Sequence, residues 1–294
     1  MHPRTGVAGD PGGPALAGQT AAVALPRDIP AIDLLMMLPK VEGRGEHPAG
    51  YMFKDLPDLE PSDDAGGQLL PEMDKYNIER SLLPLSFDDP RSIDAVRRYP
   101  DRLLGAYQID PNKGVDEVAN LKRAVRELGA VAAAFFPCGC VPQVPIDDRK
   151  AYPFYAACVE LGIPIFVNAG VPGPRVPMAP QHVALVDEVM YDFPELVLVL
   201  RHGAEPWVDL AIKLMVKWPG LHYSTSAFAP KHYPPAILDF ANSSRGIDKV
   251  LYAGYFPSGL SLERIFRELD DVPFKDEVWP RFLRENALRV LGLS

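Results

Sequence analysis

A single (β/α)8 TIM barrel of the α/β class is the fold the sequence predicts, and three observations predict it. Short β-branched or apolar runs alternate with segments of helical spacing from Asp28 onward, the signature of repeated strand–helix units around a parallel sheet. The alternation yields eight such runs. A chain of 294 residues with 47% hydrophobic content can also bury the core of one domain of that size.

The expected strands are 31–38, 80–86, 102–109, 130–136, 164–168, 196–202, 221–225 and 249–253. Between them apolar positions recur every three or four residues, as at Val118, Leu121, Val125 and Leu128, which predicts a helix laying one face on the sheet. Another helix is expected from Asp147 through Ala151, Tyr155, Cys158 and Leu161 to Gly162, with the carboxylate capping one end and the glycine the other. Most of the 32 prolines fall in connections, including 172–180 after the fifth strand. No internal repeat is present beyond the strand–helix alternation.

Residues 1–27, rich in Gly, Ala and Pro, are expected to form a disordered tail ahead of a barrel spanning 28–294. The connection 39–70 is long and carries Tyr51, Phe53, Lys54 and Asp55. Long loops in compact domains are usually functional or disordered. This one leaves the C-terminal end of the first strand, the face where barrel enzymes do chemistry, so a lid is expected, with surface decoration as the alternative.

A net charge of −9 and a pI near 5.2 exclude a nucleic-acid footprint, which needs clustered Lys and Arg. The longest uncharged stretch, 129–146, is broken by Pro137, Pro142 and Pro145 and cannot run as a membrane helix. The apolar piece 21–25 is too brief for a signal-peptide core. Three cysteines, Cys138, Cys140 and Cys158, make no disulfide framework, so a cytoplasmic location is expected. Cys138 and Cys140 are one residue apart, unlike the pairs of zinc or redox sites; buried, inert thiols are favoured over a nucleophile activated by His202.

Five segments carry a family resemblance. They are Pro30-Ala31-Ile32-Asp33, Gln108-Ile109-Asp110-Pro111, Tyr191-Asp192-Phe193-Pro194-Glu195 leading into His202-Gly203, Ser226-Ala227-Phe228-Ala229-Pro230-Lys231, and Asn286-Ala287 ahead of Val290-Leu291-Gly292-Leu293. In that order and at barrel spacing, the chain from about Ile29 onward resembles the aminocarboxymuconate-semialdehyde-decarboxylase-like branch of the amidohydrolase superfamily. The resemblance implies a metal-dependent-hydrolase-like barrel, hydrolysis or carbon–carbon lysis of a small molecule, decarboxylation included, and a homodimer. It also implies one or two divalent metals held by an Asp-x-His-x-His pattern on the first strand, by His at the ends of the fifth and sixth, and by Asp at the end of the eighth.

Against that pattern the chain departs sharply. Leu35 and Met37 stand at the two first-strand His positions, Asn168 ends the fifth strand, and Tyr255 takes the carboxylate position on the eighth. No Lys lies in 130–136 to bridge two ions. Only His202 keeps a strong donor, and one imidazole falls short of the three or four protein ligands of a zinc site, so no catalytic metal or other cofactor is expected.

The altered positions, taken to converge on the barrel mouth, make an apolar pocket with a few polar groups, the composition of a small-molecule site. Leu35, Met37, Phe136 and Phe256 are the expected walls. His202 is the expected general acid or base, the alternative being a histidine held by structural hydrogen bonds. Asn168 and Tyr255 are expected to donate hydrogen bonds to a developing oxyanion, or else to pack. Glu205 orients His202 or serves as a second acid, unless it is only a helix N-terminal charge. Asp33 is expected to face inward one layer deeper, as a structural group or an acid. Lys231 binds a substrate carboxylate or phosphate or is a solvated loop lysine, and Arg201 is expected to point outward to the helices. Two functions follow: metal-independent hydrolysis or lysis of an apolar carbonyl- or carboxylate-bearing molecule, or an inactive barrel that binds a small molecule or protein partner.

Overall fold

The computed structural model describes residues 25–39, 49–53, 57, 59 and 62–294. Eight strand–helix units follow one another through it. The strands are β1 (Ala31–Asp33), β2 (Ile78–Leu85), β3 (Leu103–Ile109), β4 (Ala132–Phe135), β5 (Ile165–Asn168), β6 (Leu198–Arg201), β7 (Leu221–Ser224) and β8 (Val250–Leu251). After them in turn come α1 (Leu70–Lys75), α2 (Pro90–Arg98), α3 (Val115–Leu128), α4 (Tyr152–Leu161), α5 (Leu185–Asp192), α6 (Val208–Lys217), α7 (Pro235–Ala241) and α8 (Leu262–Leu269). The sheet runs in chain order from β1 to β8 with every neighbouring pair parallel. This is the barrel read from the sequence.

Local chemistry sets the helix boundaries. Asp89 caps α2 by accepting from Arg91 N at 3.2 Å, ahead of Pro90 at the first helical position, and Ser261 caps α8 through Arg264 N at 3.2 Å. Gly162 ends α4 in the left-handed conformation, as its sequence position predicts. The start of α4 differs from expectation: Asp147 does not cap it, because Asp148 first closes a turn onto Lys150 N at 2.8 Å and the helix begins at Tyr152.

The tail expected over 1–27 lies outside the described residues up to residue 24; Leu25 is buried in the core and Arg27 pairs with Asp270 at 2.6 Å. Of the connection 39–70, residues 40–48, 54–56, 58, 60 and 61 lie outside the described residues.

Alternation along each strand divides the core in two. Ile32, Leu82, Leu104, Ala106, Ala132, Ala134, Phe166, Val199, Leu251 and Ala253 fill the barrel interior, while Leu83, Tyr107, Phe135, Val167, Leu200 and Tyr252 belong to the larger layer under the helices. That period of two fixes which residue each strand delivers to its C-terminal mouth.

The seam between β8 and β1 is closed differently from the other seven pairings. Leu34 N donates to Tyr252 O at 3.3 Å and Met37 N to Phe256 O at 2.8 Å, and Asp33 Oδ1 accepts from Gly254 N at 2.7 Å and from Leu35 N at 3.0 Å. Asp33 is fully buried, and burial lifts its carboxyl to about 7 even though both N–H groups favour the anion. A Cβ on Gly254 would fall 2.6 Å from Asp33 Oδ2, so the carboxylate needs glycine there.

Candidate active site

At the C-terminal ends of the strands the barrel opens into a cavity of about 1100 Å3. The residue two beyond an interior one reaches it on six strands: Pro84 beyond Leu82, Gln108 beyond Ala106, Phe136 beyond Ala134, Asn168 beyond Phe166, Arg201 beyond Val199 and Tyr255 beyond Ala253. Leu35 and Met37 complete the apolar side. His202, Glu205 and Lys231 also line the cavity, so of the residues expected there the fold brings together Leu35, Met37, Phe136, Asn168, His202, Glu205, Lys231 and Tyr255.

Two expected residues are not among the lining. Asp33 is held at the β1–β8 seam, because the alternation breaks where β1 ends and Ile32, Leu34 and Leu35 all join the interior. Phe256 is buried in the outer layer; Tyr255 takes the inward parity and its neighbour turns away.

Arg201 corrects the sequence reading in the opposite direction. It shares its parity with Val199 and stands across the β5–β6 ladder from Asn168, so its side chain enters the cavity rather than the helix layer. The residue is only 6% exposed. Burial pulls its guanidinium down to about 10, still charged at neutral pH. Its Nε has no hydrogen-bond partner and no described carboxylate pairs with it; Phe166 lies beneath at 6.0 Å from the ring centroid.

His202 reaches the same cavity because the chain leaves β6 with a positive φ of 64° at that residue. Its backbone N donates to Ser226 Oγ at 3.2 Å, and its Nδ1 is 3.1 Å from the same oxygen. The Tyr255 ring meets the imidazole edge-on, with centroids 5.6 Å apart, and burial raises the Tyr255 phenol above its ordinary value.

Two loops brace these groups. Val171 N donates to Glu205 O at 2.8 Å, and Gly170, at φ 91°, lies so close that a Cβ would meet the Glu205 backbone at 2.7 Å. At the mouth stand Lys231, Arg264 and Arg267 with Glu268, which binds Arg264 Nε at 2.9 Å and lies 3.9 Å from Lys231. Among the described residues the cavity is lined by four cationic side chains against two carboxylates, in a chain of net charge −9.

From the long first connection, Ala49, Met52 and Phe53 line the mouth. The Phe53 ring is 5.9 Å from that of Tyr255, and Tyr51 OH donates to Gly173 O at 2.7 Å. Cys138 and Cys140 are buried and free, with thiols pushed up by burial to about 11 and about 12, a poor state for a nucleophile.

Sequence reasoning missed Arg201, Gln108 and Ser226. For Arg201 and Gln108 the signal was present, since each continues the interior parity of its strand.

The family model for the amidohydrolases matches residues 85–293. The chain belongs to the amidohydrolase family. Among curated proteins, this amidohydrolase is 26% identical over 125 residues to a 2-keto-4-carboxy-3-hexenedioate hydratase from Sphingobium sp.; the match takes in 37% of the chain and 37% of that relative's length. Among solved structures, it superposes on an uncharacterised TIM-barrel protein from Bordetella bronchiseptica with a TM-score of 0.71, at 22% identity over 90% of this chain and 99% of that one. A dihydroxybenzoic acid decarboxylase from Polaromonas sp., bound to manganese and 2-nitroresorcinol, aligns at a TM-score of 0.65 and 16% identity, over 90% of this chain and 97% of its own. At these identities the two structures establish the fold.

Amidohydrolase resemblance implies a divalent metal, and the donors among the described residues do not fit one. Among the described residues no three His, Cys, Asp or Glu side chains come together to hold an ion. What faces the cavity floor is one imidazole turned by its Nδ1 to Ser226, a neutral amide, a phenol that burial keeps protonated, and a guanidinium. A fixed cation at that floor opposes a dication by Coulomb repulsion. Among the described residues no helix is long and apolar enough to cross a membrane.

Proposed function

We propose that this amidohydrolase is a metal-independent lyase that removes CO2 from a small, largely apolar acid whose carboxylate is attached beside a carbonyl or a hydroxylated ring. The buried guanidinium of Arg201, which no carboxylate among the described residues pairs, carries this reading. In a β-keto acid the carbon–carbon bond to the carboxylate breaks, its electron pair moves onto the carbonyl oxygen to leave an enolate, and CO2 departs; on a hydroxylated ring the carbon bearing the carboxylate takes up its proton first, and the pair released with CO2 restores the phenolate. Arg201 supplies the positive charge that this oxygen needs, in a site of low dielectric where such a charge acts strongly. Asn168 and Tyr255 add hydrogen bonds to it, and His202 delivers the proton that the carbon takes up, recovering its own from solvent.

Leu35, Met37 and Phe136 supply the apolar wall and exclude water from the carbanion. Phe53 and Met52 at the mouth support a lid role for the connection that carries them. Hydrolysis is less well served, because it needs an activated water that a metal or a second base would have to prepare. The names of the two relatives, a hydratase and a decarboxylase acting on carboxylic acids, are compatible with a carboxylate-bearing substrate here. Three free thiols suit a reducing compartment, so a cytoplasmic enzyme, homodimeric as the family resemblance implies, is part of the proposal.

The test is CO2 release by purified protein from a panel of β-keto acids and hydroxybenzoic acids, run with and without chelator and alongside metal analysis. Chelator-resistant turnover that is lost in Arg201→Met and not rescued in Arg201→Lys supports the proposal. Turnover that depends on a stoichiometric metal overturns it, and an absence of turnover combined with tight ligand binding favours the inactive binder.

A further inference from the structure

Behind His202, outside the cavity, two buried hydroxyls form a chain that the reaction as written leaves without a role. Ser226 Oγ accepts from His202 N at 3.2 Å, faces His202 Nδ1 at 3.1 Å and lies 3.5 Å from Ser224 Oγ. Ser224 Oγ donates to Leu200 O at 3.2 Å. Both serines are essentially inaccessible and neither lines the cavity, so Ser226 is no nucleophile despite its contact with an imidazole.

The hydrogens in this chain can be counted. A hydroxyl carries one hydrogen and accepts through two lone pairs. The Ser224 hydrogen goes to Leu200 O, at 3.2 Å the shorter of its two contacts, and toward Ser226 at 3.5 Å the Ser224 oxygen then accepts. The Ser226 hydrogen therefore has two places to go, His202 Nδ1 or Ser224 Oγ. The first is the shorter contact.

We infer that Ser226 and Ser224 are positioning residues that hold His202 with its exchangeable proton on Nε2, and that a single rotation of the Ser226 hydroxyl accommodates the imidazolium. In the neutral ring Ser226 donates to Nδ1, so the proton sits on Nε2, the nitrogen left to a side chain that lines the cavity. In the charged ring Nδ1–H donates to Ser226, whose hydrogen turns to Ser224. Nδ1 and both serine hydroxyls keep a partner in both states and no heavy atom moves. A histidine that must give up and regain a proton is thereby spared reorganisation at each turnover.

Among the described residues, the charged and titratable groups that share the cavity with the ring are Arg201 beside it, Glu205 in the following loop, Tyr255 from the β8 end, Lys231 with His232 at the mouth after β7, and Arg264, Arg267 and Glu268 of α8. None of these touches the serine chain in the hydrogen bonds formed. Substitution of the serines therefore reads their own effect.

The inference rests on the proposed lyase reading only for its consequence on turnover, and its primary test needs no substrate. Nitrogen-15 spectra of histidine-labelled full-length protein, titrated in pH, should show His202 in wild type as the neutral tautomer protonated at Nε2. Ser226→Ala should yield a mixture of tautomers. Ser224→Ala should keep the Nε2 tautomer and lower the titration midpoint of His202 by roughly half to one unit, the worth of one hydrogen bond made only by the imidazolium. If the lyase reading also holds, the pH limb of kcat moves by the same amount in Ser224→Ala while KM stays unchanged. A wild-type ring protonated at Nδ1 when neutral overturns the inference, as does a midpoint indifferent to Ser224→Ala; failure of every substrate leaves the spectra as the deciding result.

Discussion

Replacing Arg201 by methionine should make the protein more stable and useless to its ligand at once. The guanidinium is lowered from its ordinary value to about 10 by burial, a differential cost of about 3 kcal/mol at 1.36 kcal/mol per unit. Because the folded value is the depressed one, the charged form is disfavoured in the fold at every pH below about 10, and the penalty fades only as pH climbs beyond that toward the ordinary guanidinium range. It is therefore constant across the working range. Water in the 1100 Å3 cavity restores part of the lost hydration, which leaves an expected gain of roughly 1–3 kcal/mol for an uncharged side chain of similar length. With a slope near 3 kcal/mol per molar, that is a rise of roughly 0.3–1 M in the urea midpoint. The assay is urea unfolding at pH 7.5, repeated with an aromatic or keto carboxylate present, which should raise the wild-type midpoint and leave that of Arg201→Met unmoved. A variant less stable than wild type would refute the reasoning, since it would mean that the charge is paired and structural.

Other perturbations follow from the same geometry. Asp33 binds its proton more tightly folded than unfolded, with a carboxyl at about 7, so its contribution to stability is full below the unfolded value of 3.8 and is lost as pH rises through about 7; Asp33→Asn should gain on wild type by up to about 4 kcal/mol between pH 4 and 8 in urea midpoints, and parallel curves would exclude the shift. Gly254→Ala drives a methyl to 2.6 Å from Asp33 Oδ2 and should cost about 1–3 kcal/mol, read as a lowered Tm that Asp33→Ala partly restores. Lys231→Gln combined with Arg267→Gln removes two of the mouth's cations and should lower kcat/KM for an anionic substrate several-fold at low salt but not at 0.5 M, with kcat unchanged; an effect independent of salt would point to direct contact instead of steering.

The barrel was legible because eight apolar runs at regular spacing leave few other ways to bury them, and each expected strand contains or overlaps an observed one. The strand ends were less legible. Strand six was read through His202, which made Arg201 and His202 compete for one inward position; the positive φ at His202 lets both enter the cavity. Asp33 was given the parity of Leu35, yet a carboxylate that accepts two backbone N–H groups bends the chain out of alternation immediately after it. Phe256 failed by one position, since Tyr255 already held the inward place. Ser226 stands in one of the segments that carry the resemblance, but its contact with His202 becomes visible only when β6 and β7 are laid side by side.

Asp33 also bears on how a motif should be interpreted. The first letter of the Asp-x-His-x-His pattern here is architecture: it clasps the last strand of the barrel to the first, while the letters that would have coordinated an ion have become leucine and methionine. A match at that letter therefore reports that a barrel must close, and carries no information about whether the barrel retains its metal.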